Sequence, residues 1–284
     1  MRLRKGKDSA RAVWVLAGAA ALGLAALPAR AQQQEEKPPT LDKSKQQAPT
    51  PPQPETPPVS PEEEAAFKAY SETGAAGGEK KAQLGEDFLQ KYPQSRYRAI
   101  VLSTLTAAYF RLGQIDKMTA TGEKALAGTP NDVQVLAILA QTLPRSLSKD
   151  PAVAGKQLEQ AEVYARRALD IIPTMSKPEG AADEAWAAAK NSVLAMAHSG
   201  LGLVFIYRQR FNEAVAELEQ SVKAEPDPVN YFLLGMANKN GLHYDDAAAA
   251  FEKCAAILSP MQPRCQTALV EAKKLALTQP SAPK

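Results

Sequence analysis

The stretch that decides the fold is HSGLGLVFIYRQRFNEAVAELEQSVKAEP, residues 198–226. Its anchor residues follow one another at fixed spacings, first His198, Leu201, Gly202 and Phe205, then Ala214, Leu218, Ser221 and Pro226. Steps of three and four residues put each set of anchors on one face of a helix. Small anchors let two helices approach, and large anchors fill the space between them. The stretch therefore predicts two packed antiparallel helices that end at a proline.

The same unit recurs along the chain. Prolines close helical stretches at residues 93, 130, 173, 226 and 260, which lie 37, 43, 53 and 34 residues apart. The unit that follows begins at Tyr231 and keeps Gly235, Ala247 and Phe251 at the same spacing. Weaker versions run over residues 102–130, 136–173 and 62–93. A period of about 34 residues with two helices is typical of tetratricopeptide repeats. The chain resembles that family over about residues 60–277, with two clear units and three inferred ones.

The resemblance implies an all-α fold, an α-solenoid of about five tetratricopeptide-like helix-turn-helix units over residues 61–277. Each helix pair leaves an apolar face that only a stacked neighbour buries, so such an array needs capping elements at its ends. We expect a C-terminal capping helix from Pro263 to Leu277. At the other end, Ser60 is predicted to cap the first helix, with Pro61 in the first turn and Glu63 completing a capping box.

Two segments depart from the repeat pattern. An insertion occupies residues 144–151, and residues 179–208 contain no proline. The second segment predicts one helix about 45 Å long. Two interpretations of this helix stay open: it fills space between its neighbours, or it forms a ledge for a partner.

The composition agrees with closely packed helices. Of 284 residues, 45% are apolar and only 6% are aromatic, and 52 of them, about 18%, are alanine. Alanine favours helices and gives a thin interface between them, whereas a β-sandwich needs β-branched and aromatic strands.

The first 31 residues resemble a secretory signal peptide. Basic residues precede an apolar run over residues 12–27, and small residues at positions 29 and 31 fit a cleavage site. We expect cleavage between Ala31 and Gln32 and a periplasmic or secreted mature protein. The apolar run of about 16 residues is shorter than the roughly 20 that span a bilayer. The alternative, in which the signal stays uncleaved as an inner-membrane anchor, is less favoured.

Removal of the signal changes the charge. Six of the 34 basic residues and one of the 31 acidic residues lie in residues 1–31. The remainder therefore carries 28 basic and 30 acidic residues, a net charge of −2. This balance gives no reason to expect a nucleic acid partner. A membrane partner is expected only if the signal is retained.

Residues 32–60 are rich in proline and glutamine, and we expect them to form a disordered linker; residues 278–284 are expected to form a disordered tail. We interpret the linker as an inert spacer. The alternative interpretation is a proline-rich ligand for another domain. If the signal is retained, the same segment would act as a tether.

No motif points to catalysis, so the chain is predicted not to be an enzyme and to need no cofactor or metal. His198 and His243 fall in different repeats and in no metal-binding or nucleophile motif. The glycine-rich residues 74–81 lack the strand and the Ser/Thr of a phosphate-binding loop. An enzyme or small-ligand binder is the least favoured class, and it would require a pocket that gathers His198 with acidic residues.

Cys254 and Cys265 are the two cysteines of the chain. In an oxidising compartment they could form a disulfide bond between neighbouring helices. Two buried thiols are the alternative.

The resemblance further implies a concave groove, lined by the first helix of each pair, that binds a partner peptide or helix. The predicted groove residues are Phe110, Arg111, Ile206, Tyr207, Phe232, Lys239 and Asn240. Their mixture of aromatic and cationic groups favours a partner with apolar anchors and some acidic character. Family members that clamp a C-terminal carboxylate carry Lys-x3-Asn on these helices, and this chain does not.

These observations predict a non-enzymatic scaffold of the cell envelope that binds another protein, which we expect to be an envelope protein. The alternative is a structural or assembly component tethered to the membrane by the uncleaved signal.

Overall fold

The structure is a computed structural model that describes residues 59–74 and 77–280. The described residues belong to one compact unit. The predicted signal peptide with its cleavage site at Ala31 and Gln32, and residues 32–58 of the predicted linker, lie outside the described residues.

The described part of the chain is all-α, without a strand, as predicted. Its eleven α-helices are α1 (Pro61–Glu72), α2 (Gly78–Lys91), α3 (Arg98–Arg111), α4 (Ile115–Gly128), α5 (Val133–Thr142), α6 (Pro151–Ile171), α7 (Asp183–Tyr207), α8 (Phe211–Ala224), α9 (Pro228–Asn240), α10 (Tyr244–Ala256) and α11 (Gln262–Thr278). Short 3₁₀ turns follow α5 at Leu143–Arg145 and α6 at Ile172–Thr174.

The helices pack as five consecutive pairs, from α1 with α2 to α9 with α10, and α11 closes the array against α10. This arrangement confirms the predicted solenoid of about five units with a C-terminal capping helix. Six hydrophobic clusters follow one another along the array, and no single core gathers all the described helices.

The first helices of successive pairs form a row. Helix α3 packs on α5, α5 on α7, α7 on α9, and α9 on α11, and we call these five helices the inner row. No comparable packing joins the second helices of successive pairs in the described part of the chain. Because the inner-row helices lie closer together, the array must curve with the inner row on its concave side.

The start of α1 follows the predicted pattern only in part. Ser60 Oγ accepts a hydrogen bond from the backbone N–H of Glu63 over 3.1 Å, and Pro61 occupies the first turn. The Glu63 carboxylate accepts a hydrogen bond from Ser95 Oγ over 2.5 Å. This contact, which a capping box does not include, ties α1 to the segment that precedes α3.

The predicted long helix is present as α7, with 25 residues. The 144–151 insertion is the 3₁₀ turn after α5 and a loop that leads into α6. The loop ends at Asp150, whose carboxylate accepts hydrogen bonds from the backbone N–H groups of Ala152 and Val153 and so caps α6.

One glycine sets the distance between α5 and α7. A Cβ atom built on Gly200 would lie 2.6 Å from the carbonyl carbon and oxygen of Ala140 and 2.9 Å from the backbone nitrogen of Gln141. These are backbone atoms, which cannot rotate away as a side chain does. The close approach of the third and fourth helix pairs therefore requires glycine at this position.

The two cysteines join the capping helix to the array. Cys254 near the end of α10 and Cys265 near the start of α11 are fully buried, and their Cα atoms are 5.7 Å apart. Their sulphur atoms lie within bonding distance. The disulfide remains a prediction to be tested by thiol titration.

Candidate functional site

A pocket of about 250 Å³ opens on the inner row. It lies where the C-terminal ends of α3 and α5 face the middle of α7 and the start of α9. Its lining consists of Phe110, Gln141, Arg145, Ser192, Ala195, Met196, Glu225, Asp227, Val229 and Asn230. We call this the inner pocket, and it is the candidate functional site.

Arg145 is the cation of the inner pocket. It stands in the 3₁₀ turn after α5, and it makes no hydrogen bond or ion pair with another described residue. Its residue surface is exposed to solvent. Burial lowers the pKa of Arg145, and the attraction of Asp227 opposes this effect. Arg145 is therefore exposed, is attracted by Asp227 and makes no hydrogen bond with another described residue.

Gln141, at the end of α5, is the second group without a partner. Only 8% of its surface is exposed, and its side-chain amide makes no hydrogen bond with another described residue. Its amide atoms still reach solvent, since they are not among the buried polar atoms that lack a hydrogen-bond partner. The amide nitrogen can donate a hydrogen bond to a ligand carbonyl, and the amide oxygen can accept one.

The third wall is the start of α9. The Asp227 carboxylate caps the helix by accepting hydrogen bonds from the backbone N–H groups of Val229 and Asn230, over 2.8 and 3.3 Å. Asn230 is 4% exposed, and its amide nitrogen donates to the Glu225 carbonyl over 3.3 Å. Its side-chain oxygen is buried without a hydrogen-bond partner among the described residues.

The remaining lining is apolar. The side chains of Phe110 and Met196 are partly buried and pack on the hydrophobic cluster that joins α3, α4 and α5. The inner pocket thus combines an apolar wall, one cation, two carboxylates and two amides. This combination suits recognition of a polypeptide by a few fixed polar contacts.

Several larger cavities occur among the described residues, and two of them lie between the second helices of successive pairs. One of about 500 Å³ lies between α8 and α10 above α9, and one of about 430 Å³ lies between α2 and α4 above α3. In each of these two cavities some of the polar groups contact one another. In the second cavity, for example, Lys117 Nζ donates to Glu86 over 2.7 Å, and the Tyr109 hydroxyl donates to the same carboxylate. We place the candidate site in the smaller inner pocket because it opens on the inner row and because the side chains of Arg145 and Gln141 make no hydrogen bond there with another described residue.

Of the seven predicted groove residues, only Phe110 lines the inner pocket. Arg111 is exposed at the end of α3, and Ile206 is partly buried against the α7–α8 core. Tyr207 ends α7 and is 52% exposed. Lys239 forms an ion pair with Glu271 of α11 over 3.1 Å.

Asn240 is the exposed last residue of α9. Phe232 requires a correction. It is only 7% exposed, its ring centroid is 5.5 Å from that of Phe251, and the Arg264 guanidinium lies 4.5 Å above its ring. The capping helix α11 covers this part of α9, so Phe232 packs in the core and offers a partner little surface.

The two histidines are apart. His198 Nδ1 lies 2.7 Å from the Glu217 carboxylate, in a partly buried contact between α7 and α8. His243 precedes α10, and its ring lies 3.4 Å from the Asn212 side-chain oxygen. Among residues 59–74 and 77–280, no group of His, Cys, Asp and Glu residues is arranged to hold a metal ion.

The residues that the sequence did not point to are Gln141, Arg145, Ser192, Asp227 and Asn230. One signal was available for Arg145, because it belongs to the insertion that breaks the repeat pattern. Asp227 stands between two prolines, which indicates only a helix start. Nothing in the sequence shows that these positions meet.

Comparisons with known proteins support the fold. No protein-family model matches the chain, and no curated protein matches it in sequence. Among solved structures, PilW, a widely conserved type IV pilus biogenesis factor, is similar with a TM-score of 0.52 and 16% identity, over 77% of this chain and 89% of PilW. A thermophilic TPR protein of Thermus thermophilus has a TM-score of 0.49 and 20% identity, over 76% of this chain and 99% of that one.

The chain therefore has the fold of tetratricopeptide repeat proteins. At these identities the likeness concerns the fold alone. In the described part of the chain, no helix is both long enough and apolar enough to cross a membrane.

Proposed function

We propose that the chain is a non-enzymatic scaffold that binds a protein partner in the concave groove of its repeat array. The observation that carries this proposal is the inner pocket, where the side chains of Arg145 and Gln141 make no hydrogen bond with another described residue. A peptide supplies carbonyl groups for both, and the Phe110 and Met196 side chains provide an apolar contact beside them. Catalysis has no comparable support, because the polar groups of the pocket include no nucleophile paired with a base.

Site-specific photocrosslinking in the source cells tests this proposal. A photoreactive residue replaces Phe110 or Ser192, which line the inner pocket, and a matched variant carries it at Glu123, an exposed position of α4 on the outer side. We expect one defined crosslinked protein from the two inner positions and none from Glu123. The same partner at all three positions, or at Glu123 alone, would contradict binding in the groove.

A substitution sharpens the test. Arg145→Glu reverses the cation of the pocket at an exposed position and is expected to leave the fold intact. Capture of the partner should fall by about tenfold, since one charge-assisted hydrogen bond contributes about 1.5–3 kcal/mol. Lys124→Glu, an equal charge change on the outer side, is the control and should leave capture unchanged.

We further propose that the scaffold works in the cell envelope after cleavage between Ala31 and Gln32. Support comes from the sequence of residues 1–31. The intact mass of the protein from envelope fractions tests this: a chain that begins at Gln32 is expected. A mass that includes residues 1–31 would favour the alternative, a membrane-tethered assembly component with residues 32–60 as its spacer.

A further inference from the structure

A second groove lies between α2 and α4, with α3 as its floor. Two cavities of about 430 and 400 Å³ form it, and both are lined by Arg98, Leu102 and Lys124. We call it the α2–α4 groove. Its floor is the face of α3 that runs from Arg98 to Tyr109, a length of about 16 Å. Phe110, which lines the inner pocket, points about 100° away from Tyr109 around α3, so the two sites use different faces of this helix.

Cations outnumber carboxylates in the α2–α4 groove. Its lining includes four cations and one carboxylate, namely Arg96, Arg98, Lys117, Lys124 and Glu86. Lys117 Nζ lies 2.7 Å from the Glu86 carboxylate, and the Arg96 guanidinium lies 3.5 Å from that of Glu64. The side chains of Arg98 and Lys124 make no hydrogen bond or ion pair with another described residue. The excess is local, because residues 32–284 carry a net charge of −2.

Neither the sequence neighbours nor the helix ends remove this excess. No acidic residue stands three or four positions from Arg98 or Lys124, the spacings at which side chains on a helix pair. The start of α3 and the end of α4 both line the groove. Their partial charges, positive at the start of one helix and negative at the end of the other, oppose each other. An anionic ligand would supply the counter-charge for Arg98 and Lys124.

The surface between the cations is apolar. Leu102 and Leu105 form the floor and are 4% and 2% exposed, Leu89 of α2 is partly buried, and Ala120 of α4 is exposed. An apolar side chain of a ligand can therefore pack between two acidic ones. Among the described residues that line the groove, the aromatic ring is that of Tyr109, which is 2% exposed. A nucleic acid base would have no ring to stack on, which favours a polypeptide ligand.

We propose that the α2–α4 groove binds an acidic segment of a second protein partner. About five extended residues span its floor. Their carboxylates pair with Arg98 and Lys124, and an apolar side chain between them packs on Leu89 and Ala120. The site is separate from the inner pocket, so one scaffold holds two partners. Contacts with exposed cations are individually weak and are screened by salt, so this partner is released as the ionic strength rises.

Peptide selection on the purified full-length protein tests this proposal. A displayed library of random peptides about seven residues long is selected at low salt, and fluorescence polarisation then measures the affinity of the enriched peptides. We expect enriched sequences in which two or more Asp or Glu residues surround an apolar residue. Their affinity should fall when NaCl is raised from about 0.05 to about 0.5 M.

A matched pair of double variants locates the binding site. Arg98→Gln/Lys124→Gln removes the two unpaired cations of the groove. Lys156→Gln/Lys274→Gln makes the same charge change at two exposed lysines, on α6 and α11. We expect the first variant to weaken binding of the acidic peptides at least about tenfold and the second to leave it within about twofold.

A second pair tests the shape of the groove without changing its charge. Ala120→Trp fills the space between α2 and α4 and should abolish binding, whereas Ala187→Trp, at an exposed position of α7, should leave it unchanged. Thermal unfolding of each variant controls for the fold.

The other outcomes overturn the proposal. It fails if the selection enriches nothing, if the enriched peptides carry no acidic residues, or if acidic peptides are indifferent to Arg98→Gln/Lys124→Gln. Acidic peptides that respond to Arg145→Gln instead belong to the inner pocket, which removes the second site and leaves the proposed scaffold function intact. Tighter binding of a single-stranded oligonucleotide of equal charge, with the same response to the groove variants, assigns the groove to nucleic acid.

Discussion

The close approach of α5 and α7 at Gly200 leads to the sharpest prediction about stability. In Gly200→Ala, the new methyl group would lie 2.6 Å from the Ala140 carbonyl atoms, whereas non-bonded carbon atoms prefer about 3.5–4.0 Å. The two helices must therefore separate by about 1 Å, because neither backbone can rotate away. Such overpacking costs about 1–3 kcal/mol, and we expect the upper end of that range here.

Part of this cost is offset by helix propensity. Alanine is about 1 kcal/mol more favourable than glycine inside a helix, so the expected net loss is about 2 kcal/mol. Gly155 provides the matched control, since it lies exposed within α6 and a Cβ there meets nothing within 4 Å. Gly155→Ala is therefore expected to stabilise the protein by about 0.5–1 kcal/mol.

Urea and thermal unfolding followed by far-UV circular dichroism measure both variants. The expected changes in Tm are a fall of about 4–8 °C for Gly200→Ala and a rise of about 1–4 °C for Gly155→Ala. Hydrogen exchange should show faster opening in α5 and α7 of Gly200→Ala. A Gly200→Ala variant as stable as Gly155→Ala would refute the described contact between the third and fourth helix pairs.

Three more predictions concern the disulfide, the capping helix and the pH dependence of stability. Thiol titration of the unfolded, unreduced protein should find no free thiol, and two titratable thiols would exclude the bond. The free energy of unfolding of a Cys254→Ser/Cys265→Ser variant, measured with denaturant, should be about 2–3 kcal/mol lower than that of the wild type. Deletion of α11 exposes the apolar faces of α9 and α10, so the truncated protein should have a lower Tm and elute as aggregates. An unchanged melting curve with monodisperse elution would contradict the role of α11 as a cap. Hydrogen bonds from Lys117 and Tyr109 lower the pKa of the Glu86 carboxyl in the folded protein. The ionised carboxylate therefore stabilises the folded state at pH values above the pKa of the unfolded chain, which is near 4.5. This stabilisation is lost as the pH falls through the pKa of the folded protein. The difference in Tm between the wild type and Glu86→Gln should accordingly shrink in acid, and a constant difference would disprove this link.

The contrast between Phe110 and Phe232 shows where prediction from the sequence ends. The sequence predicts a groove position for both because both lie on first helices, but only Phe110 reaches the inner pocket. The difference comes from the capping helix, which covers Phe232 with Arg264. Helix periodicity assigns a residue to a face, but a neighbour that packs on that face decides whether it remains accessible.

The sequence alone determined the helix pairs, the long helix α7 and the need for a capping helix. These features depend on local spacing, on glycine and alanine at helix contacts, and on prolines that end helices, all of which act within about one repeat. Tertiary structure alone decided the site. Phe110, Gln141, Ser192 and Asn230 come from four helices, and they meet because the stacking of the pairs sets the register of the inner row. That register results from packing summed over several interfaces, including the backbone contact at Gly200, and no local pattern encodes it.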